Sequence, residues 1–467
     1  MKTIQLHFRF GAGLGLLGFG MGLLGAEPAI PDSLDLSTAW ERVRMKNEGL
    51  LAAQEEVKQA EANRDATRSL FLPQIDFTSQ WTRLDAAIAF DLEPLRPLLA
   101  ASSPSVTLPP IPLSVPVQDR SFLKAGLQAS YPIWTGGRIS AARNASGHAL
   151  TASRASQRRQ ENTTFTELVR RYYGYQLAVI VRHTRAEALA SYEEHARQAR
   201  ALESHGQTAR AETLQAEASL ADAKREHQNA IRQEEIAGIA LAQILLLDAP
   251  PRLESPLFVT HAAMPPAGDF AGKAKAHNPI LQQLEAQKAQ TGEAVRAEQG
   301  RFQPEVYLFG RKELNRSDLT ATDPEWLVGV GVNLPLLDRS NRVARVRAAR
   351  SQNQRVAYLQ AEAERSISTL VEKNWREVVN QQEQYDAYTP TVALAQEVLR
   401  LRRKGFAESL YTSLDVVDAQ LNLTRVETGR AKAAYDYVVA LASLVEAAGA
   451  PEEFQHYQQT ADTRLLP

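Results

Sequence analysis

Cysteine is absent from all 467 residues. That excludes thiol nucleophiles, CxxC redox pairs, zinc fingers, disulfide scaffolds and a lipidated N-terminal cysteine. An excess of charge is also lacking, since 53 Lys+Arg stand against 54 Asp+Glu. Binding a polyanion takes clustered basic excess, so nucleic acid is not expected as a partner. Beyond the N-terminus the longest charge-free apolar run is Ile236 to Leu247, well short of the roughly 20 residues a spanning helix needs. Any crossing of a membrane must then be made by strands. Enzymatic signatures are missing too. The nine histidines include no HxxxH or HExxH pair, and His195 and His205, on a predicted helix, have no suitably spaced third ligand, so no metal is expected. Paired carboxylates such as Glu193-Glu194 fall on charged helical faces, where solvation is the default. Phosphate loops and nucleophile elbows do not occur, so neither a cofactor nor catalysis is expected.

What is present begins with export. Residues 1–26 carry a positive start (Lys2, Arg9), an uncharged Gly/Leu-rich run from Phe10 to Gly25, and small residues before Glu27. This is the layout of a secretory signal. A membrane anchor is the alternative, and the run is short and glycine-rich for one. Cleavage after Ala26 is expected, with Leu24 larger than usual at the −3 position.

The remainder is duplicated. Asn47, Leu50, Phe71 and Pro73 recur 231 positions later as Asn278, Leu281, Phe302 and Pro304. From Pro132 onward the offset becomes 203: Pro132-Ile133 matches Pro335-Leu336, Tyr172 matches Trp375, and Leu214-Gln215-Ala216 falls on Val417-Asp418-Ala419. One indel of 28 residues, between 74–131 and 305–334, accounts for both. The expected organisation is a first repeat over 27–249 with a hairpin at 74–133, a linker over 250–277, a second repeat over 278–449 with a hairpin at 304–335, and a tail over 450–467. Each repeat reads helix, hairpin, helix, helix. Thr38 with Glu41 predicts a capping box at the first helix, and Asn278-Pro279 marks a restart. Ala, Gln, Glu and Arg dominate stretches in which proline is absent except for Pro390, from Arg138 to about Glu203 and from Asn341 to about Lys404. At 1.5 Å per residue such helices reach roughly 100 Å. Val417, Leu421, Thr424, Thr428, Ala431, Tyr435, Val438, Ala442 and Val445 form a heptad seam, echoed by smaller residues from Thr213 to Ile244.

Four segments alternate instead. Ile75, Phe77, Ser79 and Trp81 oppose Gln74, Asp76, Thr78, Gln80 and Thr82, which is a strand with one polar face. Leu123, Ala125, Leu127, Ala129 and Tyr131 oppose Lys124, Gly126, Gln128 and Ser130. Trp326, Val328, Val330, Val332 and Leu334 oppose Gly329, Gly331 and Asn333. The fourth segment, Glu305 to Arg311, is ambiguous, because Tyr307 and Phe309 lie opposite Val306 and Leu308. Strands of this length and patterning fit a membrane β-barrel, and four cannot close one, so several chains must share it. A single such pair would read first as a soluble hairpin packed on helices; two equivalent pairs in an exported, duplicated chain reverse that and favour lipid. The segment 84–118 between the first two strands holds seven prolines from Pro94 to Pro116 and predicts extended, sheet-resistant structure facing outward.

Leu34-Asp35-Leu36 with Ala39-Trp40, Leu72-Pro73 before a strand, Tyr131-Pro132-Ile133-Trp134-Thr135-Gly136-Gly137-Arg138, and Thr412-Ser413-Leu414-Asp415-Val416-Val417-Asp418-Ala419-Gln420 carry a resemblance. Over roughly residues 34 to 449 the chain resembles the TolC-like outer-membrane efflux protein family. The resemblance implies a mostly α fold with a small β part. It implies a homotrimer in the outer membrane of a Gram-negative bacterium, each chain giving four strands to a 12-stranded β-barrel that a long periplasmic α-helical barrel of coiled-coil helices continues. It implies outer-membrane lipid, a periplasmic membrane-fusion adaptor and an inner-membrane pump as partners in a tripartite efflux or type I secretion system. The chain departs from the family where Asp338-Arg339-Ser340-Asn341 replaces Thr135-Gly136-Gly137-Arg138, and where Ser409 stands six positions before Asp415 while Gly206 stands six before Glu212. A periplasmic coiled-coil adaptor or scaffold without a pore is the alternative; it would share the helices and lack lipid-facing strands.

Asp415 and Asp418, three apart, share a helix face. The resemblance places them at the closed periplasmic entrance, with Glu212 and Gln215 as their first-repeat counterparts, and rings of carboxylates favour cations. Thr412-x-x-Asp415 is also a capping box, and both readings stand together. Arg402, Arg403 and Lys404 are candidates to pair with acids and hold the entrance shut, or form a solvated helix end. Gly206 and Ser409 mark the helix tips where an adaptor would dock.

Overall fold

The computed structural model of the chain describes residues 33–102, 114–320, 323–337 and 339–465. The secretory signal over 1–26, the run Pro109-Pro110-Ile111-Pro112-Leu113 and Asp338 lie outside them. The first half runs β1 (Ser33–Leu34), α1 (Leu36–Lys46), α2 (Glu48–Ala66), β2 (Gln74–Arg83), β3 (Ile88–Asp91), α3 (Arg96–Ser102), β4 (Ser114–Gln118), β5 (Ser121–Trp134), α4 (Arg138–Ser204) and α5 (Arg210–Leu245). Two short strands follow, β6 (Arg252–Leu253) and β7 (Leu257–Val259). The second half runs α6 (Ala267–His277), α7 (Pro279–Gly300), β8 (Glu305–Glu313), β9 (Trp326–Asn333), α8 (Arg342–Ala407), α9 (Ser413–Ala448), α10 (Glu453–Gln459) and β10 (Thr463–Leu465). The fold is mostly helical with a small β part. Six elements of each half correspond: α1 with α6, α2 with α7, β2 with β8, β5 with β9, α4 with α8 and α5 with α9.

Local chemistry sets the helix ends. Asp35 caps α1, its carboxylate accepting from Thr38 N at 3.0 Å. The box expected from Thr38 and Glu41 is therefore not the cap: the helix starts earlier, where Asp35 supplies the acceptor and Leu36 is carried into the core. Asn278 ends α6 and caps α7, with Pro279 at the first helical position, where a missing N–H costs nothing. Helices α4 and α8 hold 67 and 66 residues, and Pro390 sits inside α8 without ending it.

The strands form one antiparallel sheet in the order β2-β5-β8-β9. Register puts Ile75 opposite Ala129, Phe77 opposite Leu127 and Trp81 opposite Leu123. Tyr131 faces Leu308 across the next pair, and Leu308 faces Val330. One face is thus mostly apolar from edge to edge, with Lys312 between Leu127 and Trp326 its charged exception. On it Ile75, Phe77, Trp81, Trp326, Val328, Val330 and Val332 are each 63–68% exposed, so among the described residues no helix covers this face, and a sheet of this kind is not a soluble hairpin packed on helices. The ambiguity of β8 is resolved by its neighbour. Tyr307 pairs with Gly331 and Phe309 with Gly329 on the polar face, their rings lying where a glycine Cβ would stand. Aromatics covering cross-strand glycines stabilise register. In the proline-rich segment the expected lack of sheet is corrected: β3 pairs with β4, the pairing shifting register beside Ala89 and Pro116. Proline is tolerated at such an edge irregularity.

Below the sheet the helices repeat its order, with α2 against α4, α4 against α7 and α7 against α8. Farther down, α4 pairs with α5 and α8 with α9, the two hairpins meeting through α4 and α9. Small residues line that contact: Ala196, Ala199, Ala216, Ala395 and Ala419 are buried beside Leu399, Phe406 and Val416. Seam positions Thr424, Ala431, Val438, Ala442 and Val445 are buried, whereas Leu421 is exposed.

The main core lies at mid-height, around Tyr172, Tyr173, Phe258, Phe270, Tyr437 and Phe454. Burying each fully is worth about 1.5–3 kcal/mol. Strand β1 pairs with β6, and β7 with β10, so the linker and the tail are stitched to this girdle. Tyr172 and Trp375, equivalent in the two repeats, each bond the backbone that crosses it. Tyr172 donates to Leu34 O at 2.7 Å and accepts from Ser255 N at 3.0 Å, while Trp375 Nε1 donates to Pro265 O at 2.9 Å.

Candidate functional site: the helix tips

The two long hairpins end in the same turn. Gly206 has φ 70°, Gln207 N bonds Leu202 O at 2.8 Å and Gly206 N bonds Glu203 O at 2.9 Å. Ser409 has φ 59°, Leu410 N bonds Gly405 O at 2.7 Å and Ser409 N bonds Phe406 O at 3.0 Å. Both are Schellman turns. Ser409 therefore takes the left-handed conformation that Gly206 takes, at a cost of roughly 1–2 kcal/mol for a residue with a Cβ. The replacement of glycine leaves the shape of the tip unchanged.

Asp415 opens α9 within a reciprocal capping box. Its Oδ2 accepts from Thr412 N at 2.9 Å and from Thr412 Oγ1 at 2.7 Å, while Thr412 Oγ1 accepts from Asp415 N. Its Oδ1 pairs with Arg402 Nη1 at 3.0 Å. The bonds from Thr412, and then the charge of Arg402, hold the Asp415 carboxyl below the usual range. The Arg402 guanidinium also lies 4.2 Å from the centre of the Tyr411 ring. That ring rests on Gly405, where any Cβ would stand 2.2 Å from Tyr411 Cδ2. Asp418, one turn on, is exposed between Leu414 and Leu421, 52% and 56% exposed.

The other candidates separate. Arg403 turns away from the acids: its guanidinium bonds Ser191 Oγ and, at 3.0 Å, Gln420 Oε1, and burial lowers its pKa. Lys404 is exposed and makes no ion pair among the described residues. Glu212 is already committed, its Oε2 accepting from Ser413 N at 2.5 Å across the two hairpins. Gln215 is exposed on α5.

Spacing alone did not reveal the residues that fasten the hairpins. His195, on α4, is 3% exposed and its Nε2 lies 2.7 Å from Ser413 Oγ. Burial, and then the charge of Arg403, pushes its pKa down to about 4. It is neutral at physiological pH. Together His195 and Glu212 hold both polar groups of Ser413, and Arg403, Ser191 and Gln420 form a second fastening one to two turns away. Gly405 and Tyr411 are six residues apart across a turn, so no periodicity pairs them.

Among the described residues no helix is long and apolar enough to cross a membrane. The exposed apolar sheet face is the surface suited to lipid. Comparison with known proteins agrees with this arrangement. The chain is 27% identical over 307 residues to the outer membrane efflux protein BepC of Brucella suis biovar 1 (strain 1330), an alignment covering 64% of this chain and 66% of that protein. Its structure superposes on the Campylobacter jejuni CmeC outer membrane channel with a TM-score of 0.72 at 16% identity, covering 92% and 90% of the two chains. The Neisseria gonorrhoeae MtrE outer membrane channel, solved in its open state, gives a TM-score of 0.72 at 19% identity, with 89% of each chain covered. The family model described as outer membrane efflux protein matches residues 40–245 and 271–450. With the model matching both repeats, the chain belongs to the outer membrane efflux protein family and resides in the outer membrane, its helices extending into the periplasm.

Proposed function

We propose that the chain is one third of a passive exit duct that carries substrates from an inner-membrane pump, through a periplasmic adaptor, across the outer membrane. The observation that carries this reading is the shared order of the two layers. Strands run β2-β5-β8-β9 and helices α2-α4-α7-α8, so each edge strand is continuous in sequence with an edge helix, α2 with β2 and β9 with α8. A rotation that brings the β9 edge of one chain to the β2 edge of the next brings α8 to α2 as well. Such a head-to-tail contact closes into a ring. Three copies give 12 strands, an even number in the range of outer-membrane barrels. Exposed apolar stripes on the helices, Leu394, Val398 and Leu401 on α8 and Ile236 and Ile239 on α5, fit burial against neighbouring copies.

In this trimer the tips of α8 and α9 form the periplasmic entrance. Asp415 and Asp418 line it, and the Arg402 pair to Asp415 helps to hold it narrow. Lys404 is left for a neighbouring acid, while Glu212 and Gln215 lie on the outer hairpin. The exposed turns at Gly206 and Ser409 receive the adaptor. The duct does no chemistry, and its pump supplies the energy. Crosslinking in detergent should trap three chains, and planar-bilayer recordings should show small cation-preferring currents. A strictly monomeric protein with no conductance would overturn the reading.

A further inference from the structure

A basic cleft lies between the end of α2 and the start of α4. It has a volume of about 420 Å³ and is lined by Arg64, Arg68, Arg143, His148, Gly147 and Thr151. We propose that it binds the headgroup of an anionic glycerophospholipid of the periplasmic leaflet. The assignment rests on the barrel reading, because only a lipid-facing sheet puts the cleft at headgroup depth.

The cleft's orientation follows from helix geometry. A second cleft, on the polar side of the sheet, is lined by Gln74, Ser130, Tyr307 and Asn333 together with Arg138, Ile139 and Ala142 of α4. At about 100° per residue, Asn144 and Thr151, which also line the basic cleft, lie about 120–180° around α4 from each of those three. The basic cleft therefore opens on the side of Ile75, Phe77 and Trp81. Depth agrees: Arg143 is five residues into α4, about 8 Å below the sheet at 1.5 Å per residue, within the polar layer that borders the roughly 30 Å hydrocarbon core.

Charge and spare donors supply the chemistry. Three guanidinium groups face one carboxylate, Asp65, which is 3.1 Å from Arg64 Nη2 and 3.7 Å from Arg68 Nε. Arg143 makes no ion pair among the described residues and lies over the Phe71 ring at 5.9 Å. Arg64 Nε is buried without a hydrogen-bond partner. A phosphodiester would accept from these groups while its acyl chains lie along the apolar strands. At Gly147 an added Cβ would meet nothing within 4 Å, so the floor is open. In the second repeat the equivalent phenylalanine, Phe302, also carries an arginine, Arg342, at 5.2 Å. That guanidinium is committed to the carbonyls of Arg301 and Pro335, so the free cleft belongs to the first repeat.

Native mass spectrometry of the full chain, released from mixed micelles of equimolar phosphatidylglycerol and phosphatidylcholine, tests the assignment. The wild type should retain phosphatidylglycerol with about tenfold preference, one per chain, as two or more arginines at an anionic headgroup would give. The triple variant Arg64→Gln/Arg68→Gln/Arg143→Gln should lose the preference. So should Gly147→Phe, which fills the cleft and leaves its charge intact. Equal retention of both lipids by the wild type, or unchanged preference in both variants, would overturn the site. So would full displacement of the lipid by millimolar glycerol phosphate, which would make it a site for soluble phosphate. The same spectra report the oligomer. A wild-type trimer without preference removes the headgroup site and leaves the duct standing, whereas a wild-type monomer removes both.

Discussion

Gly136 and Gly300 meet backbone to backbone where α4 leaves the sheet and α7 ends. A Cβ at Gly136 would lie 2.4 Å from Gly300 O, and a Cβ at Gly300 would lie 2.4 Å from Gly136 O. Gly136 also has φ 63°. Its neighbour Gly137 has φ 77° with open space where a Cβ would go, so only the first glycine is held by contact as well as conformation. This crossing sets how closely the helical layer follows the sheet.

Changing either member of that contact to alanine should therefore destabilise the fold by about 1–3 kcal/mol through overpacking against a rigid backbone. Gly137→Ala should cost only the roughly 1–2 kcal/mol of the left-handed conformation. Thermal unfolding in detergent, compared across the three variants, checks the order. Equal losses at all three positions would mean that the contact does not matter.

If Asp415 and Asp418 line the entrance of the proposed duct, Asp415→Ala with Asp418→Ala should weaken cation preference, because the carboxylates would leave its narrowest part. Assembly of the proposed trimer should survive, since a lost cap costs only about 1 kcal/mol. Arg402→Ala should act oppositely, leaving Asp415 uncompensated and raising cation preference. Glu212→Gln should leave selectivity unchanged, because in the proposed duct that carboxylate lies on the outer hairpin, away from the path. Reversal potentials in a salt gradient measure all three. Unchanged selectivity in the double variant together with lower stability would make the acids caps alone.

His195 predicts a loss of tip stability in acid. Its pKa in the folded chain is about 4, against about 6.5 when unfolded. Below pH 6.5 the unfolded state binds the proton that the folded state refuses, so stability falls as pH drops toward 4, by on the order of 3 kcal/mol. Hydrogen exchange at the amides around Ser413, corrected for its intrinsic pH dependence, should accelerate over this range. In His195→Gln, which keeps a hydrogen-bonding group without the titration, the acceleration should be reduced.

His261 should respond in the opposite direction. It lies between Asp386 of α8, 2.7 Å from Nε2, and Asp462 before β10, 3.0 Å from Nδ1. Hydrogen bonds donated to both aspartates raise its pKa above the ordinary value. The stabilisation is complete below about pH 6.5 and is lost as pH rises through the elevated value. Limited proteolysis of the tail should therefore speed up on going from pH 6 to pH 9. The same rate at both pH values would show that the clasp does not depend on the charged imidazole.

Much of this architecture is local and was legible in the residues themselves. Helix spans follow from long stretches that hold no proline but Pro390, and from caps such as Asn278. Three strands follow from strict alternation in which one face is apolar. The duplication follows from Phe71 and Phe302, or Tyr172 and Trp375, recurring in the same order. The rest depended on partners distant in sequence. Tyr307 and Phe309 have apolar neighbours on both sides, so a period of two cannot choose their face; Gly331 and Gly329 across the strand pair do. Asp415 and Glu212 look equivalent by repeat position, yet one binds Arg402 within its own hairpin and the other Ser413 of the facing one. Periodicity records which way a side chain points along its own element. Which donor, charge or open space it meets is decided only when the elements pack.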